Sequence, residues 1–238
     1  MIQQTKQLNN KQIILYHLLP GVPTLLIAII CASPIWGFGL PIFLSLLISF
    51  AISLVPGQWI IMKLVAHSES KSLRDIIGYK EKMMLRKIIL WALPGIILAA
   101  IIFTFGTAIE QPLWTVFSWV PDWFFVDRYA SDIGGMMTLT IILNFIFRGL
   151  LLPFTEEIYF RGFLLPRMER LGRFAPIVNA ALFSAYHLFA PWENVTRMLA
   201  ILPFTYAVWR KKNIYIGVIA HCAVNVLSCT VMLFNAID

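Results

Sequence analysis

Apolar residues run along this chain in blocks of about twenty, the length that carries a helix across the hydrocarbon core of a bilayer. The first block covers about Ile13 to Ser33 and is interrupted near Pro20-Gly21-Val22-Pro23. The second covers about Phe38 to Val65, with Pro56-Gly57 near its end, and the third about Ile88 to Ile109, with Pro94-Gly95 inside. A fourth, about Gly135 to Leu165, is longer and carries Arg148, Glu156, Glu157 and Arg161. Two shorter stretches follow, about Phe174 to Phe189 and Met198 to Trp209, and the last block runs about Ile214 to Phe234. The pattern predicts an all-α fold, a polytopic transmembrane helical bundle of about seven membrane helices. Two of them are short enough to form a partial hairpin. With no internal repeat and no low-complexity tract, residues 1–238 read as a single integral membrane domain.

The polar positions between the blocks are unevenly charged. Residues 63–87 hold Lys63, Lys71, Arg74, Lys80, Lys82, Arg86 and Lys87; residues 161–173 hold Arg161, Arg167, Arg170 and Arg173; residues 210–212 are Arg-Lys-Lys. The intervening loops are poor in Lys and Arg: 33–40 has none, 110–134 has Arg128 beside four acids, and 190–197 has Glu193 and Arg197. By the positive-inside rule the basic loops are cytoplasmic, which sets the N-terminus inside and the C-terminus outside. Residues Pro112 to Phe125, with Trp114, Trp119 and Trp123, read as an interfacial segment on the outer side.

Composition sharpens this picture. The chain is 59% hydrophobic and 13% charged, about half the charge of a soluble domain, so its surface faces something other than water. The net charge of +7 is confined to short inter-helix clusters, and no nucleic-acid partner is expected. No cleavable signal peptide is evident, so the first apolar block reads as a retained span. Cys31, Cys222 and Cys229 lie in apolar runs without C-x-x-C spacing, and read as packing residues rather than a disulfide or thiolate metal site.

Ionisable residues inside a span are costly and point to function. Glu157 and Arg161 are four apart on one helix face, in the favourable acid-then-base order. Glu156 lies about 100° around the helix from Glu157 and about 140° from Arg161. One acid is thus paired while the other stays free for chemistry. His187 follows Phe183 by four residues, and His221 and Asn225 share a face of the last helix. Interhelical hydrogen bonding is the structural alternative for each His or Asn alone. Together they supply what amide hydrolysis requires: a base and acid to activate water, and donors for the oxyanion.

These residues resemble the CPBP/Abi family of intramembrane proteases, which includes CAAX prenyl proteases of type II and bacteriocin-processing enzymes. Its pattern is E-E-x-x-x-R, F-x-x-x-H and H-x-x-x-N. Here Glu156, Glu157 and Arg161 match the first, Phe183 and His187 the second, and His221 and Asn225 the third. The resemblance spans about residues 135–235. It implies peptide-bond hydrolysis on hydrophobic or lipidated peptide substrates in a cell membrane, and the compact size suits a bacterial one. By that analogy Glu156 and His187 activate water and His221 and Asn225 hold the oxyanion, while Glu157, Arg161 and Phe183 organise the site. A non-catalytic bacteriocin-immunity or scaffold protein of the same fold is the alternative. Glu156, His187 and His221 would also suit a two-His, one-carboxylate zinc site; without an H-E-x-x-H motif, the reading favours no tightly bound zinc. In a simple serpentine Glu156 and His187 would lie near opposite membrane faces. The expectation is therefore a short hairpin that puts His187 at mid-depth, beside a cavity open toward the cytoplasm.

Overall fold

The computed structural model describes residues 5–35, 37–124 and 142–237. Residues 135–141 of the expected fourth block lie outside them, as do Phe125, Asp127, Arg128 and Asp132. The described residues are helical throughout, apart from loops and one isolated β-bridge.

Helix α1 (Asn10–Ala32) starts at a reciprocal cap. Asn9 Oδ1 accepts from the Gln12 amide at 2.9 Å, and Gln12 Oε1 accepts from the Asn9 amide at 3.0 Å. The helix is broken into Asn10–Leu18 and Gly21–Ala32 at Pro20, which has no N–H to continue the ladder. Helix α2 (Ile42–Ser68) widens into π-type turns over Phe50–Leu54, just ahead of Pro56. Helix α3 (Leu85–Thr104) stops at Phe105, and a separate helix, α4 (Gly106–Val116), takes over where the third apolar block was expected to continue.

The C-terminal half of helix α5 (residues 144–164) lies at the centre of the bundle. Every residue from 155 to 168 is buried, as befits a helix surrounded on all sides. Its backbone is α-helical over Leu152–Glu156 and widened into π-type turns on both sides, a feature often found at functional sites. Tighter turns (Leu165–Phe174) follow, ending at Gly172, whose φ of 54° reverses the chain into α6 (Ala175–Ala185). A turn leads to α7 (Asn194–Lys211), and Lys212, in the left-handed conformation, leads to α8 (Ile214–Ile237).

Among the described residues, four segments are long and apolar enough to cross a membrane: Asn10–Ala32, Ile42–Ser68, Leu85–Thr104 and Ile214–Val231. The charges of α5 set it apart from these, and the two short stretches prove unequal, 11 residues for α6 and 18 for α7. α3 and α7 pack closely because small residues meet at their seam. Ala92, Gly95 and Ala99 lie on one face of α3, and a Cβ at Gly95 would press on Phe204.

The three basic segments meet at one end of the bundle. The Ile214 amide donates to the Tyr79 carbonyl and the Glu81 amide to that of Lys212, each at 2.9 Å. Arg167 bonds the carbonyls of Ile76 (2.8 Å) and Phe163 (3.0 Å), and the N-terminal segment joins them through Leu8 and Arg170. Burial pushes the Glu169 carboxyl up, but hydrogen bonds from Lys212 and Tyr79 outweigh it and hold the group below its usual range.

Candidate active site

The depth problem is resolved by where each helix starts. At 1.5 Å per residue, Glu156 stands about 12 Å from the basic end of α5, His221 about 10 Å into α8, and His187 about 18 Å beyond the start of α6. α6 is short enough that its far end turns back at this level. His187 lies in that turn, just past the helix, and not on a membrane helix as its motif spacing suggested. The turn is closed by the Ser184 hydroxyl, which donates to the Asn194 carbonyl at 2.6 Å.

The adjacent acids have different partners. Glu157 is fully buried; its Oε1 lies 3.1 Å from Arg161 Nη1 and 3.0 Å from His221 Nδ1. The Nη1 contact is an ion pair outside hydrogen-bond alignment, and Arg161 makes its hydrogen bonds through Nε and Nη2, at 3.3 and 3.0 Å, to the Thr205 hydroxyl on α7. The guanidinium also lies 4.2 Å from the Phe183 ring centre. A buried cation held by a carboxylate, a hydroxyl and an aromatic face is compensated on each side. A Cβ at Gly217 would fall on Glu157 Oε2, so only glycine lets α8 approach this closely.

Glu156, 2% exposed, has no such guanidinium. Its Oε1 accepts from the Tyr186 hydroxyl, and its Oε2 faces His221 Nε2 across 3.7 Å. Since Nδ1 of His221 is engaged by Glu157, the ring is oriented with Nε2 toward Glu156. His187 is reached through Tyr186, whose ring centre is 4.1 Å from that of His187. Nδ1 of His187 lies 2.9 Å from the Phe183 carbonyl, and Nε2 has no hydrogen-bond partner among the described residues. Phe183 itself packs between the two histidines, at 5.1 and 5.7 Å. Asn225 Nδ2 donates to the Arg148 carbonyl at 2.9 Å, within the widened part of α5.

The helices α5, α6 and α8 thus bring Glu156, Glu157, Arg161, Phe183 and His221 into one buried cluster. His187 is attached through Tyr186, and Asn225 sits one turn along α8. The candidate zinc set is not assembled: among the described residues no three His, Cys, Asp or Glu side chains are gathered closely enough to hold a metal ion. A cavity does open at the basic end, but Glu156, His187, His221 and Asn225 do not line it. Phe154 and Ile158 do, each two residues from Glu156 and about 160° from it around a regular helix.

Residues 138–227 match the family model for type II CAAX prenyl endopeptidase Rce1-like proteins. Over this segment, a little more than a third of the chain, the protein is similar to the CPBP/Abi family. No curated protein and no solved structure matches it. The matched segment holds α5 to α7 and the first part of α8, with all three CPBP/Abi motifs, and the family is in general one of proteases. Sequence reasoning missed Tyr186, Thr205 and Gly217, whose roles depend on contacts between helices. It also missed His17 on α1, whose Nε2 lies 3.0 Å from Asn179 Nδ2 on α6.

Proposed function

We propose that this CPBP/Abi-like protein is an intramembrane endopeptidase that hydrolyses hydrophobic or lipidated peptides presented by the bilayer. The observation that carries this reading is the unequal treatment of two neighbouring carboxylates. Glu157 is neutralised by Arg161 and orients His221, while Glu156 keeps an oxygen turned to His221 Nε2 at 3.7 Å, beyond direct hydrogen-bond distance. Glu156 takes a proton from water as the water oxygen adds to the scissile carbonyl carbon. The proton then passes to the departing amine nitrogen as the C–N bond breaks. His187 offers Nε2 as the second proton acceptor. His221 and Asn225 form the oxyanion side; the Asn225 amide carries two protons, so one remains after Arg148 is bonded. The positive-inside rule makes the basic end cytoplasmic, with the N-terminus inside and the C-terminus outside, and the compact size and the resemblance favour a bacterial cell membrane.

The test compares purified wild type with Glu156→Gln on a panel of membrane-segment and lipidated peptides, read by mass spectrometry. The variant should fold normally and cut more slowly by about 100- to 10,000-fold, the range of general-base catalysis. Wild-type cleavage should also survive a metal chelator. One observation favours the alternative, a non-catalytic immunity or scaffold protein: the four site residues do not line the cavity. Equal cleavage by wild type and variant would overturn the role of Glu156, and cleavage by neither would select that alternative.

A further inference from the structure

The cavity at the basic end has a volume of about 730 Å³, in the range of small-molecule sites. Its wall and rim differ in chemistry. The wall is built from Phe154 and Ile158 of α5, Ile214 and Val218 of α8, and Ile88 of α3. The rim carries Arg74, Lys80 and Lys82 against a single acid, Glu81. Lys80 is already committed, its Nζ bonding the Arg74 carbonyl at 2.5 Å. The side chains of Arg74 and Lys82 make no hydrogen bond or ion pair among the described residues, and both are exposed.

The rim is held in place. Lys80 pairs with Asn213 in a β-bridge, and Asn213 Nδ2 donates to the Glu81 carbonyl at 2.7 Å. The apolar wall is open at the side. Phe154 and Tyr215 are large, exposed and part of the lining, and exposed Leu85 and Ile89 flank Ile88 on α3. Since α3 and α8 are long and apolar enough to cross a membrane, this side opens on acyl chains. An occupant must therefore join an anionic head to an apolar body that enters from the bilayer. A free phosphate would leave the wall unfilled, and a zwitterionic lipid would leave the cations unneutralised.

We propose that this cavity binds one anionic phospholipid, its headgroup phosphate on Arg74 and Lys82 and its chains along Phe154, Ile158 and Val218. The site is separate from the Glu156 cluster, so it stands whether or not the chain is a protease. Basic residues beside an anionic headgroup contribute about fivefold each to binding.

The test is native mass spectrometry of the full chain in detergent, titrated with phosphatidylglycerol or phosphatidylcholine. Wild type should retain one phosphatidylglycerol in preference to phosphatidylcholine. Arg74→Gln with Lys82→Gln should weaken that binding by about thirtyfold. Arg86→Gln with Lys87→Gln removes the same charge outside the cavity and should leave it largely unchanged. Equal retention of both lipids would overturn the proposal, and so would equal affinities for wild type and the first variant, or equal losses in the two variants. Free glycerol phosphate is the arm for a headgroup-only site: displacement of the lipid at matched concentration would also overturn it.

Discussion

At the scale of single residues, the site is organised by Glu157, which receives Arg161 from its own helix and His221 from α8. Removing one member of a fully buried pair leaves the other charge uncompensated, at a penalty of about 3–5 kcal/mol. Arg161→Ala should therefore lower the thermal stability of the detergent-solubilised protein sharply, whereas Glu156→Gln should leave it nearly unchanged; melting curves of both variants decide this. The Glu157–Arg161 pair was legible in the sequence because its four-residue spacing is a property of the helix alone. The bond from Tyr186 to Glu156 was not, because it links residues 30 apart in the chain through the turn after α6. Adjacency to His187 was the one available signal, and it carries no direction.

At the scale of helices, α1 has no motif, yet it braces the site. The Tyr159 hydroxyl donates to the Tyr16 carbonyl at 2.6 Å, and Asn179 Nδ2 reaches both His17 Nε2 and the Phe160 carbonyl at 3.0 Å. α1 also meets the turn bearing Tyr186 and His187, where a Cβ at Gly21 would overlap the Tyr186 carbonyl oxygen. Gly21→Ala should displace that turn and reduce peptide cleavage by more than tenfold, on the scale expected when a reacting group is misplaced by about 1 Å. Gly57→Ala, which meets nothing within 4 Å, is the matched control and should cleave as wild type. The apolar blocks located α1, α2, α3 and α8 to within a few residues. They misjudged the bounds of the two short helices because block length reports hydrophobicity, whereas the end of α6 is fixed by Ser184 bonding back to Asn194.

At the scale of the molecule, charge and fold agree. Basic segments far apart in sequence meet at one end, where the carbonyls of Tyr79 and Lys212 receive the Ile214 and Glu81 amides. An alkaline phosphatase reporter fused after Asp75 should stay inactive and one fused after Ser118 should be active, if the basic end is cytoplasmic; the reverse pattern would invert the topology. The same architecture bears on how the chain is made. α5 enters the membrane carrying Arg148, Glu156, Glu157 and Arg161, while two of its neutralising partners, Thr205 and His221, belong to helices synthesised later. Until α7 and α8 emerge from the ribosome, the central helix is a poor tenant of lipid, and a chain halted before Ile214 should be degraded far faster than the full-length protein in a pulse-chase experiment. The charges buried in the core thus also make it a checkpoint in biosynthesis, passed only when the last helix has arrived.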